Sequence, residues 1–528
     1  MFTAQVAARP AAPAIIDCHT GVSRTLSFSD LDRQSRQGAA LLRACGLRRG
    51  DGVLLFYPMS AELYVVLLSI FRLGLVAIVI DPSAGLKAID DCCAAFPPKG
   101  FFGGPRAHLL RVISGAICRI PVQIVVGARL PGATLWRRAQ EMPACEEMED
   151  CAADTPALVT FTGGNTGPPK AACRTHGFLL AQYRALLDVL DLVPGEVDLT
   201  TLPVVALANL ASGVTTLIPD ADLRAPGSIA SGPVLDQIEA HRATRTSASP
   251  ALLERLADHC LAHGRTIPRF EKVLTGGGPV FPDVLAKICR VAPNADATAI
   301  YGSTEAEPIA SVSASKMSNE DRHAMLRGRG LLAGRPVPAV AVRILPDQFG
   351  TSIGSLSLER FEEECLPPEE PGEIVVSGAH VLSGYLHGRG DKETKFRVED
   401  VCWHRTGDAG CLDRTGRLWL LGRCEAKVSD TRGVLYPFAV ESAARQHHNV
   451  LRVALTVDRD GRRVLAMQLR ETRDPAADLR VIRESLAWAG VDSFRVYHRL
   501  PVDRRHNAKI DYGALGRLLD RQPVAAVD

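Results

Sequence analysis

The segment Thr160-Phe-Thr-Gly-Gly-Asn-Thr-Gly-Pro-Pro-Lys170 is the first place where residue type and spacing suggest chemistry. An apolar run ends in a loop of glycines and hydroxyls, which leaves backbone N–H groups free to converge on an anion. Gly163, Gly164 and Gly167 can take positive φ and let a phosphate approach the main chain. Thr162, Asn165 and Thr166 add side-chain donors, and Lys170 adds a positive charge. The loop lacks the G-x-x-x-x-G-K-[ST] spacing of a Walker loop. By itself it also reads as a plain Gly/Pro-rich turn after a core strand.

Such a loop needs a strand to present it, and the surrounding sequence supplies several. Residues 52–56, 76–80, 122–126 and 157–162 read as buried strands, and residues 29–44 and 251–263 have helical spacing. This alternation predicts α/β layers with mostly parallel sheets. From about Gly334 the texture changes to short strands (339–344, 373–377, 410–412, 418–420) separated by Gly, Pro and Asp, as in a β-rich subdomain. Beyond Arg423, residues 453–458 and 464–469 pair through Arg459-Asp-Gly-Arg462 as a hairpin, and a helical stretch follows at 479–489. The chain therefore divides into a large N-terminal domain, 1–423, and a small α+β C-terminal domain, 424–528. The acidic stretch 359–370 reads as an exposed insertion.

The bulk numbers fit this division. A chain of 528 residues is too long for one core, and 46% apolar with 23% charged residues is the balance of a folded soluble protein. A formal net charge of +2 gives no reason to expect a nucleic-acid partner. The apolar run 63–80 carries Arg72 in its middle and Gly74 after it, so it reads as a buried helix (61–73) and a strand (75–80), not as a membrane span. Fourteen scattered cysteines without a C-x-x-C pair read as free thiols in a reducing compartment. The N-terminus has neither the basic nor the apolar region of a signal peptide, and a cytoplasmic location is expected.

Further segments, in order, carry a resemblance. Leu274-Thr-Gly-Gly-Gly-Pro-Val280, Tyr301-Gly-Ser-Thr-Glu305, Arg405-Thr-Gly-Asp408, Gly416-Arg-Leu-Trp-Leu-Leu-Gly-Arg423 and Asn507-Ala-Lys-Ile510 follow the loop. With it they resemble the adenylate-forming superfamily of acyl-CoA synthetases, luciferases and peptide-synthetase adenylation domains, over nearly the whole chain. The resemblance implies Mg-ATP as cosubstrate and acyl-AMP as product. Tyr301 would stack on adenine, with Gly276, Gly277 and Gly278 at the purine edge and Gly302 and Thr304 in the same motif. Glu305 would hold Mg²⁺ with phosphate oxygens, Asp408 would accept the ribose hydroxyls, and Arg423 would contact ribose or phosphate. Lys509 would stabilise charge at the carboxylate and α-phosphate in the transition state, delivered by a mobile C-terminal domain hinged near Glu425. For His176 and His506 a structural role is as good a reading as a catalytic one.

Within the superfamily the chain is most similar to the β-lactone synthetases of bacterial olefin biosynthesis, above all in Pro501-Val-Asp-Arg-Arg-His-Asn-Ala-Lys-Ile510. That branch implies an apolar β-hydroxy acid whose own hydroxyl displaces AMP. The alternatives are a ligase in which coenzyme A or a carrier-protein thiol displaces AMP, and a non-catalytic nucleotide- or acyl-binding homologue. The loop departs from the family pattern at Gly163, Asn165 and Ala171, where serine, serine or threonine, and glycine are usual. Two lost hydroxyls would each remove about 1–3 kcal/mol of donation to a charged acceptor. Residues 204–213 and 246–252 are expected to line the acyl pocket.

Overall fold

A computed structural model describes residues 1–18, 21–81, 85–162, 170–470, 475–503 and 509–521. It falls into two compact units. The first comprises Met1–Leu223, Ala230–Ala248 and Ala379–Asp391, and the second Arg224–Ile229, Ser249–Gly378 and Lys392–Asp528.

The first unit contains two sheets. One runs Thr134–Leu135, Val122–Val125, Pro98–Gly103, Gly52–Phe56, Val76–Val79, Pro156–Thr162, Lys170–Thr175; every neighbouring pair is parallel except the last. The other orders Arg245–Ala248, Val197–Thr200, Thr215–Ile218, Pro13–Asp17 and Arg24–Ser27, again antiparallel only at the end. The apolar strands are nearly continuous because both faces are covered, as parallel sheets require.

The suspect apolar run resolves into the helix Ala61–Arg72 and the strand Val76–Val79. Ser60 caps the helix by accepting from Leu63 N, and Arg72 at its last turn pairs with buried Asp32 at 2.7 Å. Asp32 also binds Arg36 at 2.8 Å. Among the described residues no helix is long and apolar enough to cross a membrane. All fourteen cysteines are free.

A second buried polar network holds the other sheet. Arg245, fully buried, donates to Glu196 at 2.7 Å and to the carbonyls of Leu190 (2.6 Å) and Asp191 (3.1 Å) at the end of helix His176–Leu190. Those carbonyls have no partner within the helix, and a cation there also suits its dipole. Asp198, equally buried, accepts from Asn209 at 3.0 Å and Ser247 at 3.1 Å. Thr246 donates to Leu199 O at 2.8 Å. Asn209, Thr246 and Ser247, which fall in the stretches expected to line a pocket, therefore help to hold the sheet.

In the second unit the order is Ala341–Leu345, Gly372–Ser377, Val401–Leu412, Leu418–Arg423, Leu331–Pro336, Ala306–Ser313, Asp296–Ser303, Lys272–Gly276, with Lys395–Val398 also on Val401–Leu412. The acidic stretch forms the helix Leu358–Glu364, anchored by buried Phe361 against Phe396 and Trp403. Its acids are outward, but it is a packed element rather than a loose insertion. Residues beyond 428 bury two clusters of their own, one around Val440, Leu455, Leu465 and Ile482, the other around Ala454, Leu500, Leu515 and Leu519. The expected hairpin is Val450–Val457 with Arg463–Leu469, closed by Asp458, which accepts from the amides of Asp460 and Arg462 at 3.0 Å.

Arg245→Met should destabilise the first unit by about 3–5 kcal/mol, because Glu196 and buried Asp198 would lose the cation they share. Denaturant unfolding with intrinsic fluorescence checks this; a loss below 1 kcal/mol would mean the network contributes little.

Candidate functional site

The geometry begins with a turn. Asp413 ends the strand Val401–Leu412, and its carboxylate gathers the Thr415 and Arg417 amides (both 2.9 Å), the Thr415 hydroxyl (2.7 Å), the Arg417 guanidinium (2.8 Å) and the Trp419 indole (3.1 Å). Although burial opposes its charge, these donors hold the Asp413 carboxyl far below the usual carboxylate range. Five donors on one carboxylate fix the turn 413–417. The register they fix pairs Leu412 with Leu418 and, after one bulge, Asp408 with Arg423.

That pairing assembles the best-defined polar cluster among the predicted residues. Arg423 donates to Asp408 Oδ1 at 2.9 Å and to Thr406 O at 3.2 Å. The Tyr301 hydroxyl donates to Asp408 Oδ2 at 2.9 Å. Thr406, which sequence reasoning passed over, links the parts: its hydroxyl donates to Ile374 O at 2.9 Å and accepts from the Asp408 amide at 3.0 Å. Burial and then the neighbouring Asp408 charge push the Tyr301 phenol well above its ordinary pKa, and Asp408 raises that of Arg423. The cluster is therefore a neutral phenol, a carboxylate and a cation, with Arg423 half exposed at 47% and Asp408 at 18%. Gly407 between Thr406 and Asp408 has φ +67, and a side chain there would meet Arg423.

Tyr301 lies in the strand Asp296–Ser303, which bulges between Tyr301 and Ser303 before returning as Ala306–Ser313. Thr304 and Glu305 form the tip of this hairpin, and Glu305 donates its amide to Ser303 Oγ at 3.2 Å. On the other side, Gly276 ends Lys272–Gly276 directly opposite Ile300, next to Tyr301. A Cβ on Gly276 would stand 2.8 Å from Ile300 O, so only glycine allows this approach. Gly277 and Gly278 follow, half-buried, at the exit of the strand. In the second unit Gly276, Gly277, Gly278, Tyr301, Gly302, Thr304 and Glu305 lie at the ends of two paired strands and the hairpin that follows, and Tyr301 reaches Asp408, which Arg423 pairs across its own hairpin.

Glu305 is a half-buried hard-oxygen donor on a fixed turn. No cluster of three or more potential metal ligands occurs among the described residues. A single carboxylate suits Mg²⁺, which keeps waters and takes its other ligands from phosphate.

The phosphate-loop residues divide differently. Gly163, Gly164, Asn165, Thr166 and Gly167 lie outside the described residues, as do His506 and Asn507. In the first unit the backbones of Thr162 and Lys170 pair across the mouth of the loop, and Lys170 sits 5.5 Å from the Tyr385 ring centre. His176 opens a helix capped by Thr175 and packs edge-on to Phe71 at 6.1 Å, a structural position.

Lys509 is exposed in the second unit, where its backbone pairs with that of Asp503. The Asp503 amide donates to Lys509 O and its carboxylate accepts from Lys509 N, each at 2.8 Å. Val502 and Ile510 bridge behind them. Three residues on, Tyr512 donates to the buried carboxyl of Glu441 at 2.8 Å, which also accepts from the Leu455 amide at 3.2 Å. Sequence reading missed both Asp503 and Glu441; an acid inside the otherwise apolar helix Pro437–Ala444 was the available signal. Burial raises the Glu441 carboxyl to about 7, against the pull of Tyr512, the Leu455 amide and Arg445.

The sequence model of the AMP-binding enzyme family matches residues 2–386. The chain is 32% identical over 508 residues to the olefin beta-lactone synthetase of Xanthomonas campestris pv. campestris, covering 92% of this chain and 89% of that protein. It is 32% identical over 510 residues to the same-named enzyme of Stenotrophomonas maltophilia, covering 92% and 90%. Among solved structures, the anthranilate CoA ligase AuaEII in complex with anthranoyl-AMP superposes with a TM-score of 0.82 at 17% identity, over 99% of this chain and 97% of that one. At that identity the likeness speaks for the fold, the adenylate-forming α/β arrangement.

Glu441 has a pH signature of known sign. Its folded pKa lies above the ordinary 4.5, so the folded state binds the extra proton and stability falls as pH rises from about 4.5 to about 7. Glu441→Gln should leave stability unchanged near pH 4 and raise it by about 3 kcal/mol above pH 7. Thermal melts across that window check it; a pH-independent difference would refute the buried titration.

Proposed function

The chain belongs to the AMP-binding enzyme family, and from that premise we propose that it activates an apolar β-hydroxy carboxylic acid with ATP and closes the acyl-AMP to a β-lactone. The observation that carries the lactone step is the 32% identity to two olefin beta-lactone synthetases across 92% of the chain. The Tyr301–Asp408–Arg423 cluster supports the adenylation step. Asp408 has lone pairs left after accepting from Tyr301 and Arg423, enough to receive ribose hydroxyls, and Tyr301 on the strand beside Gly276 offers a flat face for a purine.

The roles follow from chemistry. The substrate carboxylate attacks the α-phosphorus of ATP and pyrophosphate leaves with the bond between the α-phosphorus and the bridging oxygen. Lys509 neutralises charge growing on the carboxylate and α-phosphate, and Lys170 with Thr162, Gly163, Gly164, Asn165, Thr166 and Gly167 receives the β- and γ-phosphates. Bound Mg²⁺, held by Glu305, supplies charge neutralisation at the phosphates. In the second step the substrate's own hydroxyl oxygen attacks the acyl carbon, the acyl–oxygen bond to AMP breaks with its electrons on AMP, and the hydroxyl proton passes to solvent. The hydroxyl is tethered at the ring-closing distance, so no external nucleophile is needed.

We place the boundary of a mobile small domain at 423/424. Residues beyond 428 bury separate cores, as an independently moving body requires. Asp347 pins this stretch from both sides, accepting from Lys427 at 2.9 Å and Tyr436 at 2.9 Å. Fourteen free thiols fit a reducing, cytoplasmic setting.

The purified protein should convert 3-hydroxy fatty acids and Mg-ATP to AMP and a product lighter by one water, without coenzyme A, as read by mass spectrometry. A product formed only with coenzyme A would make it a thioester-forming ligase, and no AMP with any acid would make it a binding homologue. Lys509→Ala should lower acyl-AMP formation by about 10²–10³-fold while ATP still binds. Asp408→Asn should weaken ATP binding by about tenfold through loss of a charged acceptor, seen by calorimetry. Unchanged values in both variants would remove these residues from the site.

A further inference from the structure

Residues 92–140 contain no aspartate or glutamate but seven cations: Lys99, Arg106, Arg111, Arg119, Arg129, Arg137 and Arg138. In a chain whose net charge is only +2, this is a strong local asymmetry. Fold topology concentrates part of it. The strand Pro98–Gly103 is followed by three short helical turns, Ala107–Leu109, Leu110–Ile113 and Gly115–Cys118, before Val122–Val125. Ala107, Leu110, Ala116 and Ile117 pack inward on the first unit's core. The intervening side chains face the other way: Leu109 is 64% exposed, Val112 84% and Ile113 60%. Three large aliphatic side chains so close together and so exposed are costly to leave in water, unlike scattered single ones.

Cations surround these side chains. Arg106 precedes them, Arg111 lies among them and reaches Pro131 O at 3.0 Å, and this contact brings the Arg129 loop alongside. Arg119 follows, bonded to Gly115 O at 2.9 Å. None of these four arginines has an ion pair among the described residues. On the N-terminal side the nearest acids, Asp90 and Asp91, are engaged by Ser114 at 2.6 Å and Lys87 at 2.8 Å. Because Gly52–Phe56, Val76–Val79, Pro98–Gly103 and Pro156–Thr162 run parallel, the turns follow the same ends of the strands at which Phe56 and Val79 lie.

We propose that residues 106–119, with Arg129, form a docking surface for an anionic lipid bilayer, on which Leu109, Val112 and Ile113 insert while the arginines meet headgroup phosphates. Protruding apolar side chains ringed by unpaired cations match the layered chemistry of such a bilayer, apolar beneath and negative at its surface. A second copy of the chain would bring like charges together across a two-fold interface, so self-association is disfavoured.

The test is co-sedimentation of the full-length protein with vesicles of phosphatidylcholine alone or of equal parts phosphatidylcholine and phosphatidylglycerol. Binding is expected only to the anionic vesicles and should weaken steeply with added salt. Arg106→Gln with Arg129→Gln should lower the partition coefficient by about fivefold per charge removed. Val112→Ser with Ile113→Ser should lower it further while melting temperature stays unchanged, since both side chains are exposed. Equal binding to both vesicles, no binding to either, or variants that bind like the wild type would overturn the proposal. So would concentration-dependent dimerisation, measured by light scattering, that the Val112→Ser/Ile113→Ser variant abolishes. None of these readouts depends on catalytic turnover.

Discussion

The register between Val401–Leu412 and Leu418–Arg423 is the constraint on which the candidate site depends. A one-residue slip in an antiparallel pair turns every side chain to the opposite face, so Asp408 and Arg423 could not share a surface if the turn joining their strands were loose. Asp413 prevents this by gathering amide, hydroxyl, indole and guanidinium donors within seven residues. Arg417 extends the brace to Asp321 at 2.9 Å, and the buried Arg405–Glu373 pair (2.5 Å) fixes the other end of the strand. Polar groups that touch no expected ligand thus hold the residues that would.

The same economy of position recurs around Lys509. Its side chain is exposed, and its backbone is held at both N–H and C=O by one residue, Asp503. Behind it, Tyr512 ties the start of helix Tyr512–Arg521 to Glu441 in the helix Pro437–Ala444. A buried carboxyl near neutrality is an unusual choice for a structural anchor, since an apolar pair would carry no titration cost. It does make the orientation of the Lys509 segment specific, because Glu441 is satisfied only when both the Leu455 amide and the Tyr512 hydroxyl reach it.

A further ionic contact ties the residues beyond 424 to the rest of the second unit. Arg445 donates to Asp283 at 2.7 Å and 3.0 Å and to Glu254 at 3.1 Å, with its guanidinium 4.7 Å from the Phe281 ring centre. Bidentate arginine–carboxylate geometry is directional, so such a contact favours one arrangement sharply over others. Together with the Asp347 contacts to Lys427 and Tyr436, it accounts for the orientation seen for residues beyond 424 in the second unit.

The element types, the parallel strands and the separate texture of the last hundred residues are legible in the amino-acid order, and the glycine, tyrosine, aspartate and lysine motifs stand out there by their spacing. Those features are local: apolar period, turn chemistry and fixed short spacings act within a few residues. Pairing and packing are what set Thr406, Asp413, Asp503 and Glu441 beside those motifs, bring Asn209, Thr246 and Ser247 into the core, and let Phe361 anchor the acidic stretch. Each of those outcomes depends on partners brought close by pairing or packing: Thr406 finds Ile374, Glu441 finds Leu455 and Tyr512, and Asp198 finds Ser247. A hydrogen bond across such separations leaves no periodicity behind, so it becomes visible only once strand register has brought the partners within reach.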